Sequence, residues 1–220
     1  MEISQLISIM VNGTIESLYM TLFSTALSYL FGIPIGVILF ITDKGGIAEN
    51  KAVNSVVGII VNLLRSVPFI ILLVAIIPFT RLVVGTSIGA TATIVPLVVA
   101  ATPFIARMVE SSLKEVDGGV IEAALSMGSN NWQIITKVLL PEAKPSLIVG
   151  STIAITTILG YSAMAGFVGG GGLGSIGINY GYYKYQTDIM FVTVILLVIV
   201  VQIFQETGMR IASKMDKRKR

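Results

Sequence analysis

This 220-residue chain has neither cysteine nor histidine. Disulfides, thiol nucleophiles, metal sites built on Cys or His, imidazole relays and a Ser-His-Asp triad are all excluded. A membrane-embedded enzyme would need a carboxylate pair or a Ser-Lys pair within an apolar stretch, and the sequence offers neither. Glycines between Gly169 and Gly174 suggest a phosphate cradle, yet no Gly-x-x-x-x-Gly-Lys-Ser/Thr occurs in the chain. No metal or other cofactor is expected.

Three polar groupings remain. Ser151, Thr152, Thr156, Thr157, Tyr161 and Ser162 punctuate an apolar stretch that leads to Met164. Thr152 and Thr156 are four apart, as are Thr157 and Tyr161, so each pair shares a helix face. Such hydroxyls either bond back to a carbonyl one turn earlier or border a polar passage. Charged residues gather from Arg107 to Lys144, with Glu110, Lys114, Glu115, Asp117, Glu122, Lys137 and Glu142 between them. Arg210, Lys214, Lys217, Arg218, Lys219 and Arg220 make a basic tail. On so apolar a chain this tail fits a cytoplasmic membrane flank better than a nucleic-acid arm, and no nucleic-acid partner is expected.

Only membrane spans can position these groups. Charged residues are 12% of the chain, half the roughly 25% of a soluble domain. A crossing helix needs about 20 mainly apolar residues. Spans are expected at 17–42, 57–79, 88–107, 145–168 and 189–207, giving an all-α polytopic membrane protein as a single domain over 1–220. Residues 108–144 are then the one sizeable extramembrane segment, 169–188 a Gly- and Tyr-rich loop, and 208–220 the basic tail. With the N-terminus outside and the C-terminus inside, Lys44, Lys51, Arg107, Lys114, Lys137, Lys144 and the tail lie inside, and only Arg81 and Lys184 lie outside. The first residues have Glu2 and Glu16 but no basic residue, unlike a secretory signal. Arg65 interrupts the second span near its inner end, where it can snorkel or face the bundle; pairing inside the bundle is the default for it and for Glu110. Pro34, Pro68, Pro78, Pro96 and Pro103 can each bend a span. The pairs Gly32/Gly36 and Ser24/Ser28 allow close helix approach.

Within 108–144, Asp117-Gly118-Gly119 breaks one helix and offers Asp117 as cap for the next. Gly128 suits the left-handed residue that ends this second helix. Asn130 and Gln133 have capping-box spacing, so a third helix is expected to start there and to stop at Pro141. Two short helices would then meet at a glycine corner, a rigid protrusion suited to taking force from another subunit. Trp132 reads first as a membrane-interface anchor and second as a contact for such a subunit.

Glu122-Ala123-Ala124, three residues, Gly128, nine residues, then Val138-x-Leu140-Pro141 resembles the EAA loop of bacterial ABC importer permeases, with Val138 in place of the usual Ile. Arg65 to Leu73, Ile77 to Arg81, Pro103 to Glu110, Gly160 to Gly166 and Gly171 to Gly174 are similar to the methionine-importer permeases. The likeness covers nearly the whole chain. It implies a type I ABC importer fold in the bacterial inner membrane. It also implies a homodimer, two separate ATPase subunits that hydrolyse the ATP, and an extracytoplasmic methionine-binding protein. Glu122, Ala123, Ala124, Gly128, Val138, Leu140 and Pro141 would contact or brace the ATPase. In a homodimer, paired copies of Met164 can plug a narrow pore and swing aside, with Tyr161, Ser162, Thr156 and Thr152 along the path. Some of Tyr180, Tyr182, Tyr183 and Tyr185 read as interfacial belt residues, and their loop as an external docking surface. The competing readings are a permease for another amino acid or small nutrient, and a secondary transporter. The latter predicts ionisable residues at mid-membrane, and spans one, three, four and five have none.

Overall fold

The computed structural model describes residues 3–215; residues 216–220 of the basic tail, like Glu2, lie outside the described residues. Every regular element among the described residues is helical. Helix α1 (Ile3–Thr42) has one charged side chain, Glu16, in 40 residues. At a rise of 1.5 Å per residue it is about 60 Å long, twice the roughly 30 Å of hydrocarbon it must cross. The expected span 17–42 is therefore only its second part. Nothing between Ile3 and Glu16 breaks a helix, so the helix starts earlier than the uncharged run does.

The expected continuous span 57–79 is broken. Helix α2 (Lys51–Ser66) ends before Pro68, and α3 (Phe69–Ala75) and α4 (Ile77–Val84) follow. Proline disfavours the helical region for Val67 and has no N–H of its own to donate. Pro68 itself is extended, with ψ 134°. Helix α5 (Ala90–Lys114) runs unbroken through Pro96 and Pro103 and extends past the expected limit of 107. Among the described residues, by length and composition four helices can cross a membrane, or five if α2 and α3 serve as one broken span.

Helix α6 (Gly118–Ser126) is followed by α7 (Asn131–Gln133), a π-helical stretch (Ile134–Leu139) and α8 (Leu140–Glu142). Contrary to the expectation from sequence, Pro141 does not stop this run; it sits in the first turn of α8, where its missing N–H costs nothing. Helix α9 (Lys144–Met164) passes into a 3₁₀ turn (Ala165–Val168). The segment 169–188, expected as a loop, is largely helical: α10 (Gly172–Ile176) and a π-helical stretch (Gly177–Tyr182) precede α11 (Thr187–Met215). Helix α11 also carries the chain well into the basic tail.

The chain divides into two compact units. One comprises Met1–Ser28, Val67–Ala101 and Ala154–Glu206, the other Tyr29–Ser66, Thr102–Ile153 and Thr207–Arg220. In the first, Met10, Leu173 and Ile189 form a buried cluster with Leu6, Ile176 and Leu196 packed on it. In the second, α1 meets α5 through glycines. A Cβ on Gly32 would strike the Ile105 side chain, and one on Gly36 the Ala106 carbonyl and Val109. The Gly32/Gly36 spacing thus serves packing within the chain. Thr21, Ser24 and Ser28, also on α1, are wholly or almost wholly buried, and their hydroxyls have no partner among the described residues.

Candidate coupling corner and gate

The corner around Gly128 is built from side chains that satisfy helix ends. Asp117 Oδ1 accepts the Gly119 N–H at 2.7 Å and caps α6. At the other end Gly128 has φ 78°. Its N–H donates to the Leu125 carbonyl, and the Ser129 N–H to the Ala124 carbonyl. This is the Schellman closure that a left-handed glycine permits. The next helix opens with a reciprocal capping box: the Gln133 N–H donates to Asn130 Oδ1 at 2.9 Å and the Asn130 N–H to Gln133 Oε1 at 3.0 Å. Of the expected coupling residues, Glu122, Ala123, Gly128 and Pro141 are exposed, Val138 and Leu140 half-buried, and Ala124 buried. The anchors are two residues the sequence reading passed over, Ile134 and Leu139, both fully buried. Their spacing of five matches the wide π turn and not the α period, so an α-helical pattern search misses them. Val120, Leu125, Met127 and Trp132 present apolar surface, with Met127 79% and Trp132 73% exposed.

The helix leading into the corner is tied down by charge. Glu110, nearly buried, accepts from Arg107 Nη1 at 2.7 Å and from Lys114 Nζ at 2.8 Å. Lys114 also reaches Asp43 Oδ2 at 3.0 Å, so the end of α5 is fixed to the turn after α1. Arg107 Nη2 donates to the Gly58 carbonyl and to Asn62 Oδ1 on α2. Asn54 of α2 donates to the Leu39 carbonyl at 2.7 Å. Glu110 therefore pairs as the sequence suggested. Arg65 does not: it is exposed and in no ion pair among the described residues. Outside the spans, Asp43 is held below its ordinary value by the hydrogen bond from Lys114, and next by the Lys44 N–H. A cavity of about 340 Å³ near this end is lined by Ser112, Glu115, Glu142, Pro145 and Ser146 among others. Its carboxylates make it a poor seat for a phosphate.

On α9 the hydroxyls divide. Thr152 and Ser162 are buried and donate to the Ile148 and Leu159 carbonyls of their own helix. Thr152 also packs where α11 has Gly208; a Cβ there would fall on its Oγ1. Thr156 is half-buried, and the half-buried Tyr161 stacks on Phe69 with ring centroids 4.6 Å apart. Met164 is 48% exposed. With Gly160 and Phe167 it forms an uncovered stripe, and no heavy atom lies within 4 Å of a Cβ built on Gly160. Tyr182, Tyr183 and Tyr185 are exposed, and Lys184 sits over the Tyr180 ring at 4.3 Å.

Both regions match known proteins. The profile of the family described as binding-protein-dependent transport system inner membrane component covers residues 32–212. The chain belongs to this family. Among its relatives, a probable D-methionine transport system permease protein of Vibrio cholerae is 50% identical over 210 residues, covering 96% of this chain and 93% of that protein. A methionine import system permease protein of Bacillus subtilis is 45% identical, covering 94% and 93% respectively. In structure, a chain of the MetNI methionine ABC transporter in an inward-facing conformation superposes with a TM-score of 0.96 at 49% identity, covering 99% of this chain and 100% of that one. This member of the family has the all-α, polytopic type I importer fold that the sequence resemblance implied.

Proposed function

We propose that this chain is the permease subunit of an ATP-driven methionine importer. It works as a homodimer with two ATPase subunits, which hydrolyse the ATP, and it receives substrate from an extracytoplasmic methionine-binding protein. The observation that supports this most is the fit, over the whole chain, to the permease of a methionine ABC transporter. The N-terminus lies outside and the C-terminus in the cytoplasm, so the positively charged loops face inward.

In this reading the ATPase grips α6 and the Gly128 corner through Glu122, Ala123 and the exposed apolar residues beside them. Ala124, Val138, Leu140 and Pro141 brace the corner from behind. The capped helices and the buried Ile134 and Leu139 make the protrusion stiff. Closure of the ATPase pair then moves the corners together and reorients the helices that follow, shifting the passage between outward- and inward-open populations. Met164 closes the passage by meeting its counterpart from the second copy, and the bare Gly160 leaves room for that approach. Tyr161 and Thr156 border the path; Thr152 and Ser162, with hydroxyls turned to their own carbonyls, keep the helix packed.

The test is the reconstituted complex, with ATP hydrolysis and uptake measured against a panel of amino acids. Methionine-stimulated hydrolysis with accumulation is the expected result. A response to another amino acid and none to methionine would replace the substrate and keep the permease. Failure of any ATPase subunit to co-purify would sink the permease reading itself.

A further inference from the structure

Glu16 is the only charged side chain on the 40 residues of α1. It stands at the start of that helix's uncharged run, and its carboxylate is bonded. Glu16 Oε2 accepts the Gly172 N–H at 2.7 Å, 156 residues on in sequence. Its buried neighbour Ser17 accepts the next donor, the Leu173 N–H, at 2.9 Å. Ser175 Oγ takes the Gly171 N–H. Three successive backbone donors are thus satisfied by side chains, two of them from α1. The backbone there needs glycine, since Gly171 and Gly172 have φ 82° and 70°. The segment is held on its other side too: Thr93 Oγ1 donates to the Gly170 carbonyl and the Gly89 N–H to the Gly169 carbonyl. Gly166 and Gly174 meet backbone to backbone, and a Cβ on Gly174 would strike the Ala163 carbonyl, one residue before Met164.

From this geometry we infer that Glu16 is a positioning residue for transport: with Ser17 it pins the segment after Met164 to α1, and so sets where Met164 stands. The inference rests on the assignment of Met164 as the gate. The carboxylate forms a charge-assisted bond that an amide oxygen can replace in part and a methyl group cannot. Loss of a bond to a charged acceptor shifts a held/released equilibrium by about tenfold or more. Release leaves the gate out of place without touching the ATPase contact.

The experiment compares Glu16→Ala, Glu16→Gln and Ser17→Ala in the reconstituted complex, reading uptake per ATP hydrolysed. Glu16→Ala should lose about tenfold in that ratio while hydrolysing ATP at the native rate, and Ser17→Ala should lose less. Glu16→Gln should restore the ratio to within about twofold. Because the chain has no cysteine, a nitroxide on a single introduced thiol, Tyr183→Cys, reports the segment directly. Its spectrum should become more mobile in Glu16→Ala and stay unchanged in Glu16→Gln. An unaltered ratio or spectrum in Glu16→Ala, or a Glu16→Gln variant as impaired as Glu16→Ala, overturns the proposal. The spectrum needs no substrate, so a transporter that proves to carry another solute leaves that readout standing.

Discussion

The Gly128 corner and the glycine-rich segment after Met164 are both short, irregular helical stretches, and they are held in opposite ways. At the corner, side chains do the holding: Asp117, Asn130 and Gln133 cap helix ends, and Arg107, Glu110, Lys114 and Asp43 fix the helix that leads in. After Met164 the side chains have been removed. Gly166, Gly170 and Gly174 let backbone lie on backbone, with Glu16 and Ser17 as the ties to α1. The first arrangement tolerates loss of one part, because each bond contributes modestly. The second does not, because any added atom meets an immovable one.

That contrast sets the order of expected effects. Gly174→Val should be the most damaging, since its Cβ meets the Ala163 carbonyl and a backbone must shift to admit it. A loss of about 3 kcal/mol is expected, seen as a lower Tm of the solubilised complex or failure to assemble. Glu110→Gln comes next: it leaves Arg107 and Lys114 sharing a neutral partner in a nearly buried place, at a cost of about 2 kcal/mol. If it equals or exceeds the glycine variant, the contrast between the two regions is wrong. Gly128→Ala forces a Cβ into the left-handed region at about 1.5 kcal/mol. Its Cβ meets no neighbour, so the measurable loss should be in affinity for the ATPase rather than in yield. Asn130→Ala removes one half of the capping box at about 1 kcal/mol, read by hydrogen exchange in α7.

The smallest effect concerns acid. Asp43 titrates below its ordinary value of 3.8, chiefly through Lys114. A carboxylate depressed in the folded state stabilises it above the unfolded pKa and gives that up as pH falls through the folded one. The Tm of the native chain should therefore approach that of Asp43→Asn only below about pH 4. Because the Asp43 side chain is 42% exposed, the difference at neutral pH should be slight and should shrink further in salt.

The corner was open to sequence reading because its determinants are residue types with one strong local use. Asp before Gly-Gly, Gly after Ala-Leu-Ser-Met, and Asn three before Gln each name a helix end. The ion-paired Glu110 was legible for the same reason. The glycine-rich segment read as a loop because helix propensity counts glycine against a helix, whereas here its value is how closely two backbones can pass. The buried anchors Ile134 and Leu139 were hidden by a period of five. The break at Pro68 was underweighted because prolines at 34, 96 and 103 sit inside unbroken helices. Proline alone does not say whether neighbouring helices will make good its missing bond. Glu16 gave one signal, a lone charge on a long apolar helix, but no local pattern points to a partner 156 residues away.

The π-helical stretch between α7 and α8 carries a consequence for chain length. The Leu140 N–H donates to the Ile135 carbonyl, five residues back, so the stretch holds one residue more than an α-helix of the same rise would need. Deleting a single residue between Ile134 and Leu139 lets the run close as an ordinary α-helix. Ile134 and Leu139 then stand four apart on one α-helical face instead of five apart on the wide turn, so both anchors and both ends of the run keep their facing. The stretch can therefore give up one residue and keep the aim of the corner that precedes it, whereas an added residue would find the wide turn already in use.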